Sequence, residues 1–66
     1  MKLIVNGEPQ EVPEGTTLSD LLAQLKLEAP QVAVEVNAQV VRSARHAEHR
    51  LASGDRVEVV TFVGGG

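Results

Sequence analysis

The sequence of 66 residues contains no cysteine, tryptophan or tyrosine, and only one phenylalanine. Without cysteine the chain can form neither a disulfide nor a thiolate metal site, and it has no thiol nucleophile. With almost no aromatic side chains it has no platform on which nucleic-acid bases could stack. The six Lys and Arg residues are scattered and the net charge is −3, so no nucleic-acid-binding surface is predicted.

The sequence also lacks an apolar run long enough to span a membrane, and it lacks the apolar core of a signal peptide. These absences predict a cytoplasmic protein without membrane or nucleic-acid partners. A chain of this length predicts a single domain, residues 1–66, which buries only about 60% of the surface exposed in the unfolded state. Valine is the most frequent apolar residue, which favours strands.

The first twelve residues of the chain have the pattern of a hairpin. Residues 1–5 and 8–12 predict two strands, joined at Asn6-Gly7, a dipeptide typical of tight turns because both residues tolerate positive φ. Pro9 cannot donate a ladder hydrogen bond, which predicts that the second strand lies at an edge of its sheet.

A change of period then predicts one amphipathic helix. Thr17 and Asp20 form a pair that resembles a capping box at its start, and Pro30 prevents its continuation. Its apolar stripe follows the helical spacing i, i+3, i+4 and i+7, and consists of Leu18, Leu21, Leu22 and Leu25.

The remaining segments predict three further strands, at 32–36, 40–42 and 56–63, separated by turns at 37–39 and 53–55 and by a polar stretch at 43–50. This order predicts an α+β fold in which a mixed sheet of four to five strands packs on one helix. The first and last strands are expected to be central neighbours. The expected architecture is the β-grasp, or ubiquitin-like, fold.

The last strand runs directly into three glycines, Gly64, Gly65 and Gly66. Glycine has no Cβ atom, so this tail (64–66) can extend through a passage too narrow for other residues, and we expect it to be flexible. A terminal glycine also presents an unhindered carboxylate, which is ionised at neutral pH. The Gly66 carboxylate is therefore predicted to be the working group of the protein. The alternative is a frayed terminus with no role.

Together these features resemble the ThiS family of bacterial sulfur-carrier proteins. The resemblance rests on the β-grasp order in a short chain, on Val36-Asn37, on Gly54-Asp55 before the last strand, and on the Gly-Gly end. It covers the whole chain. Gly66 is then the residue that is modified and Gly65 its motif partner, while Gly64 contributes reach.

The resemblance implies a carrier rather than an enzyme. An adenylyltransferase of the ubiquitin-activating type would use ATP and Mg²⁺ to adenylate Gly66, so the chain itself would bind no cofactor. A sulfur donor such as a cysteine desulfurase would convert the adenylate to a thiocarboxylate. Thiazole synthase would take that sulfur for the thiazole ring of thiamin.

Other functions remain open on the residues alone. A MoaD-type carrier would deliver sulfur to molybdopterin by the same chemistry, although such chains are usually longer, and a further variant would serve tRNA thiolation. A non-covalent β-grasp interaction module would not need a free Gly66 carboxylate. A stand-alone enzyme is disfavoured because no convergent set of histidine, acid and nucleophile is visible.

Strand parity predicts a partner-binding surface. Glu58 indicates that its side of the last strand meets water, so Val57 and Val59 should face the helix. The apolar side chains expected on the opposite, open face form a predicted docking patch, Ile4, Val60 and Phe62. The alternative is an ordinary scatter of exposed apolar residues.

Two histidines, His46 and His49, lie three residues apart. No cysteine is available and no third ligand is evident, so no metal site is predicted. The segment that carries them is expected to be a solvated polar turn.

Overall fold

The computed structural model describes residues 1–28 and 31–62. Within these residues the chain forms five strands, an α-helix and a short 3-10 helix. In chain order they are β1 (Lys2–Val5), β2 (Glu8–Glu11), α1 (Leu18–Gln24), β3 (Val32–Val36), β4 (Gln39–Val40), the 3-10 helix (Ser43–Arg45) and β5 (Arg56–Thr61).

The strands form one mixed sheet in the order β2-β1-β5-β3-β4. β5 occupies the centre, where it pairs in parallel with β1 and antiparallel with β3, while β1–β2 and β3–β4 are antiparallel hairpins. The predicted mixed sheet and the predicted pairing of the first and last strands are confirmed. β2, with Pro9, lies at an edge as expected.

Both hairpins turn through two residues with positive φ. In the first, Asn6 and Gly7 have φ values of 50° and 85°, as the sequence predicts. In the second, Asn37 and Ala38 have φ values of 52° and 71°. Two consecutive positive φ values define the turn whose twist matches that of the flanking strands. Ala38 adopts this conformation although its Cβ disfavours it.

The helix starts with the predicted capping box. The Thr17 hydroxyl accepts the Asp20 amide, and the Asp20 carboxylate accepts the Thr17 amide, each at 3.1 Å. Leu18, Leu21 and Leu22 are buried. The helix ends at Gln24, before the proline, because Lys26 has a φ of 63°, which a right-handed helix does not allow.

The second half of the sheet differs in length from the expectation. The short strand spans Gln39–Val40 rather than 40–42, because the Arg42 carbonyl accepts the Arg45 amide at 2.8 Å and thereby starts the 3-10 helix. β5 ends at Thr61 among the described residues, and Val63, the predicted end, lies outside them.

The core lies between α1 and one face of the sheet. Buried residues alternate along β1, β3 and β5, as a sheet with a single covered face requires. The buried apolar set is Leu3, Val5, Val12, Leu18, Leu21, Leu22, Val32, Val34, Val36, Leu51, Val57 and Val59. Within the described part of the chain, no helix has the length and apolar character needed to cross a membrane.

Candidate functional site

The candidate site is the open face of the sheet where β5 leads toward the glycine tail. Val57 and Val59 are buried, whereas Glu58 and Val60 on the same strand are exposed, which confirms the predicted parity. Val60 and Phe62 retain 61% and 62% of their surface. Two large apolar side chains therefore stand in water a few residues before Gly66.

The strand register separates Ile4 from these two residues. Ile4 lies beside Arg56 in the parallel β1–β5 pair. Val60 is four residues farther along β5, or roughly 13 Å at about 3.3 Å per residue. Ile4 is also only half exposed to solvent, and it faces Pro9 on β2. The structure thus brings Val60 and Phe62 to one end of the open face and places Ile4 toward the other.

The neighbour of Val60 across the β3–β5 pair is Ala33, which is exposed. Directly opposed residues of an antiparallel pair share a face. Ala33 presents little bulk, so the Val60 side chain is accessible from the β3 side. We call Ala33, Val60 and Phe62 the tail-proximal patch.

Two carboxylates occupy the middle of the open face. Glu35 and Glu58 are directly opposed on β3 and β5, and both are exposed. Val40 lies beyond Glu35 on β4 and is 72% exposed. Like charges opposite one another weaken a strand pair. The open face is therefore apolar near the tail and acidic at its centre. The exposure of Val40 was not predicted, because parity within a two-residue strand cannot be inferred without its partner.

The residues Asn37 and Gly54-Asp55, which carry the resemblance, form one hydrogen-bond network at the start of β5. The Asn37 side chain donates to Asp55 Oδ1 and accepts the Arg56 amide, each at 3.0 Å. Asp55 Oδ2 accepts the Ala52 amide at 2.8 Å. Gly54 supplies the positive φ of 89° that the turn requires. These residues fix where β5 begins, which is a structural role.

His46 corrects one expectation. It retains only 2% of its surface, so the prediction of a solvated polar turn is wrong at this residue. Its Nε2 atom is 2.9 Å from the Val41 carbonyl, and because a carbonyl oxygen only accepts, Nε2 is the donor of this hydrogen bond. Its Nδ1 atom is buried and has no hydrogen-bond partner among the described residues.

The cause of this burial is contact with the start of α1. The amides of Leu18 and Ser19 donate to the carbonyls of His49 and His46, at 2.9 and 3.0 Å. Helix N-termini leave such amides without partners inside the helix, and here the histidine segment supplies the acceptors. These hydrogen bonds hold the histidine segment against the start of the helix, which buries His46. In the described part of the chain, no group of three or more His, Asp or Glu residues is placed to hold a metal ion.

The predicted modification site and its neighbours lie outside the described residues. These are Gly64, Gly65 and Gly66. Their roles and the flexibility of the tail stay predictions. The described part of the chain reaches Phe62, one residue beyond the end of β5 and four positions before Gly66.

Comparison with known proteins decides the family. The family model of the ThiS family matches residues 3–66. The chain belongs to the ThiS family. A crystal structure of the thiamine biosynthesis protein ThiS from Geobacter metallireducens superposes with a TM-score of 0.84 at 38% identity, and the match covers all of both chains. The predicted β-grasp fold and the predicted family resemblance are both confirmed.

Two kinds of relatives of this ThiS-family chain differ in length. The sulfur carrier protein ThiS of Bacillus subtilis is 40% identical over 65 residues, which cover 97% of this chain and 98% of the relative. The thiazole synthase of Paramagnetospirillum magneticum is 38% identical over 66 residues, and the thiazole synthase of Magnetococcus marinus is 44% identical over the same length. The chain spans about a fifth of the length of each of these two synthases.

Proposed function

We propose that this chain is a sulfur carrier of thiamin biosynthesis. The observation that supports the proposal most is the end-to-end match with the ThiS carrier of B. subtilis, which covers 98% of that protein. The residues add a chemical rationale. The chain has no thiol of its own, so it can carry sulfur only after the sulfur has been bonded to one of its carbon atoms.

In the proposed reaction the Gly66 carboxylate attacks the α-phosphorus of ATP and pyrophosphate leaves. A carboxylate is a poor acyl donor because its charge repels nucleophiles, and the mixed anhydride removes that charge and provides AMP as leaving group. The terminal sulfur of a persulfide on the donor protein then displaces AMP and forms an acyl disulfide. A thiol reductant cleaves the S–S bond, which releases the thiocarboxylate and leaves the donor cysteine in a disulfide with that thiol. ATP and Mg²⁺ belong to the activating partner, an adenylyltransferase of the ubiquitin-activating type, and a cysteine desulfurase is the proposed source of sulfur.

Docking is assigned to the tail-proximal patch. Val60 and Phe62 are large, apolar and exposed, and they lie at and just after the end of β5, a few positions before the tail in the sequence. Aromatic side chains that enter a partner pocket are frequent hot spots. One surface can therefore position the tail in the activating enzyme and later in the sulfur acceptor. Ile4, which is half-buried at the other end of the face, contributes less than Val60 and Phe62.

Thiazole synthase is the proposed acceptor. Two relatives with that name contain a segment similar to this whole chain. A carrier and an acceptor that occur within one polypeptide in relatives are expected to meet as separate chains as well. The relatives favour thiazole over molybdopterin or tRNA as the destination of the sulfur. The relatives also do not favour a non-covalent interaction module. In such a module the glycine tail would be inert, whereas in a sulfur carrier the tail takes part in the reaction.

The test is intact-mass analysis after incubation with a ThiS-adenylating enzyme, Mg²⁺, ATP and sulfide. We expect one oxygen to be replaced by sulfur in the wild-type chain and not in a chain that lacks Gly66. The shortened chain should melt at nearly the same temperature as the wild type, since the deletion removes no side chain of the buried apolar core. An unmodified wild-type chain, or a shortened chain that gains sulfur at the parent rate, would contradict the proposal.

A further inference from the structure

The backbone of β5 alternates between two neighbours. The Phe62 amide donates to the Gln31 carbonyl at 2.8 Å, toward β3, whereas the Val57 carbonyl accepts the Asn6 amide at 2.8 Å, toward β1. Successive residues of a strand direct their amide and carbonyl groups to opposite sides. Val59, two residues after Val57, therefore directs its polar backbone groups toward β1.

The backbone of β1 does not reach Val59. β1 ends at Val5, and the chain turns away at Asn6 and Gly7. The Asn6 side chain replaces the missing strand residue: its Oδ1 atom accepts the Val59 amide at 2.7 Å, and its Nδ2 atom donates to the Val59 carbonyl at 3.3 Å. A primary amide thus extends the β1–β5 ladder by one residue.

A matching device lies at the other end of β5. Asn37 also occupies a hairpin turn with φ near that of Asn6, 52° against 50°, and it also makes two side-chain hydrogen bonds. Asn37 holds the Arg56 amide, where β5 begins, whereas Asn6 holds Val59, directly before the tail-proximal patch. The two asparagines have the same chemistry and differ in their distance from the tail-proximal patch.

We propose that Asn6 is a positioning residue for partner docking. By fixing Val59 on the side that β1 leaves open, it keeps Val60 and Phe62 ordered in the orientation that a partner binds. This inference rests on the proposed function. Without the Asn6 side chain, the end of β5 keeps only its hydrogen bonds to the β3 side. This end of the strand would then have to become ordered before a partner can bind it. The apparent affinity then falls with the fraction of molecules that are ordered, whereas the chemistry after docking is unchanged.

The matched variants are Asn6→Gly and Asn37→Gly. Glycine accepts the positive φ of both turns, so each variant loses two side-chain hydrogen bonds and keeps its hairpin. We expect similar decreases in melting temperature. In amide hydrogen exchange, Asn6→Gly should lose protection at Val59, and Asn37→Gly should lose it at Arg56.

Activity is measured as ATP–pyrophosphate exchange by a ThiS-adenylating enzyme. We expect Asn6→Gly to raise the KM for the carrier by about tenfold at unchanged kcat, since a misplaced docking group can cost up to about 100-fold. Asn37→Gly should change KM by less than about twofold, as it is far from the patch. Asn6→Asp keeps the oxygen that accepts the Val59 amide and should give an intermediate KM.

The outcomes separate the two claims. Equal KM increases in Asn6→Gly and Asn37→Gly would show that general stability alone matters, and would overturn the positioning role. An unchanged KM in Asn6→Gly, despite exposure of the Val59 amide, would overturn it as well. A wild-type chain that the enzyme does not adenylate would overturn the proposed function and the docking role together, while exchange at Val59 would still decide whether Asn6 holds β5.

Discussion

Val59 and Val60 are the same residue at adjacent positions of one strand, yet they differ in what surrounds them. Val59 retains 9% of its surface and lies under α1, whereas Val60 retains 61% and faces water. The sheet thus has a covered face that stabilises the domain and an open face that leads to the tail. Substitutions of exposed residues usually change the unfolding free energy little, whereas substitutions of buried residues change it strongly. The residues of the open face can therefore serve binding, while those of the covered face are constrained by stability.

The covered face should tolerate a charge least. Val59→Asp buries a carboxylate that has no partner, and we expect it to cost about 4 kcal/mol or more of unfolding free energy. A chain of 66 residues has only about 3–10 kcal/mol in total. Val60→Asp is the matched control and should cost less than about 1 kcal/mol. Chemical denaturation of both variants checks this, and equal losses would remove the distinction between the faces.

His46 and His49 provide a second comparison between a buried residue and a more exposed residue of the same type, in the segment that packs on the helix. His46→Ala removes a buried ring and the donor to the Val41 carbonyl, and we expect a loss of about 2–3 kcal/mol. His49→Ala, at a half-buried residue, should cost less than about 1 kcal/mol. Thermal melting of both variants provides the measurement. A larger loss in His49→Ala would show that the segment is anchored elsewhere.

The smallest effect is expected at the start of the helix that covers the sheet. Thr17→Ala removes the hydroxyl that accepts the Asp20 amide and should cost about 1 kcal/mol. Thr17→Ser keeps an acceptor and should recover most of that loss. Urea denaturation at neutral pH distinguishes the two. A Thr17→Ala variant as stable as the wild type would show that the backbone bonds from the histidine segment are sufficient to cap the helix.

Local patterns were sufficient to predict most of the fold. The alternation in β3 and β5, the leucine stripe, the Asn6-Gly7 turn and the capping pair each depend on neighbours within about four residues. The order of these elements then predicts the sheet and its helix-covered face. The short extent of β4 was not predicted, because it depends on hydrogen bonds that the following segment makes.

The candidate site was predictable only in part. Parity placed Val60 and Phe62 on the open face, but the separation of Ile4 from them follows from the parallel register, which no local pattern fixes. The burial of His46 depends on its contact with Ser19, 27 positions away in the sequence. The hydrogen bonds between Asn6 and Val59 join residues that are 53 positions apart. An asparagine at a hairpin turn predicts the turn, and its side-chain partner appears only when the sheet is assembled.

The most direct test of the account compares Phe62→Asp with Thr61→Asp, which place the same charge on adjacent exposed residues of opposite parity. Binding to a ThiS-adenylating enzyme is measured by calorimetric titration, and folding by thermal melting of the same samples. We predict that Phe62→Asp weakens binding by about 2 kcal/mol or more, about 30-fold, and leaves the melting temperature nearly unchanged. Thr61→Asp should change binding by less than about threefold. Unfolding of Phe62→Asp while Val59→Asp stays folded, or equal binding by both exposed variants, would contradict the assignment of the open face to docking.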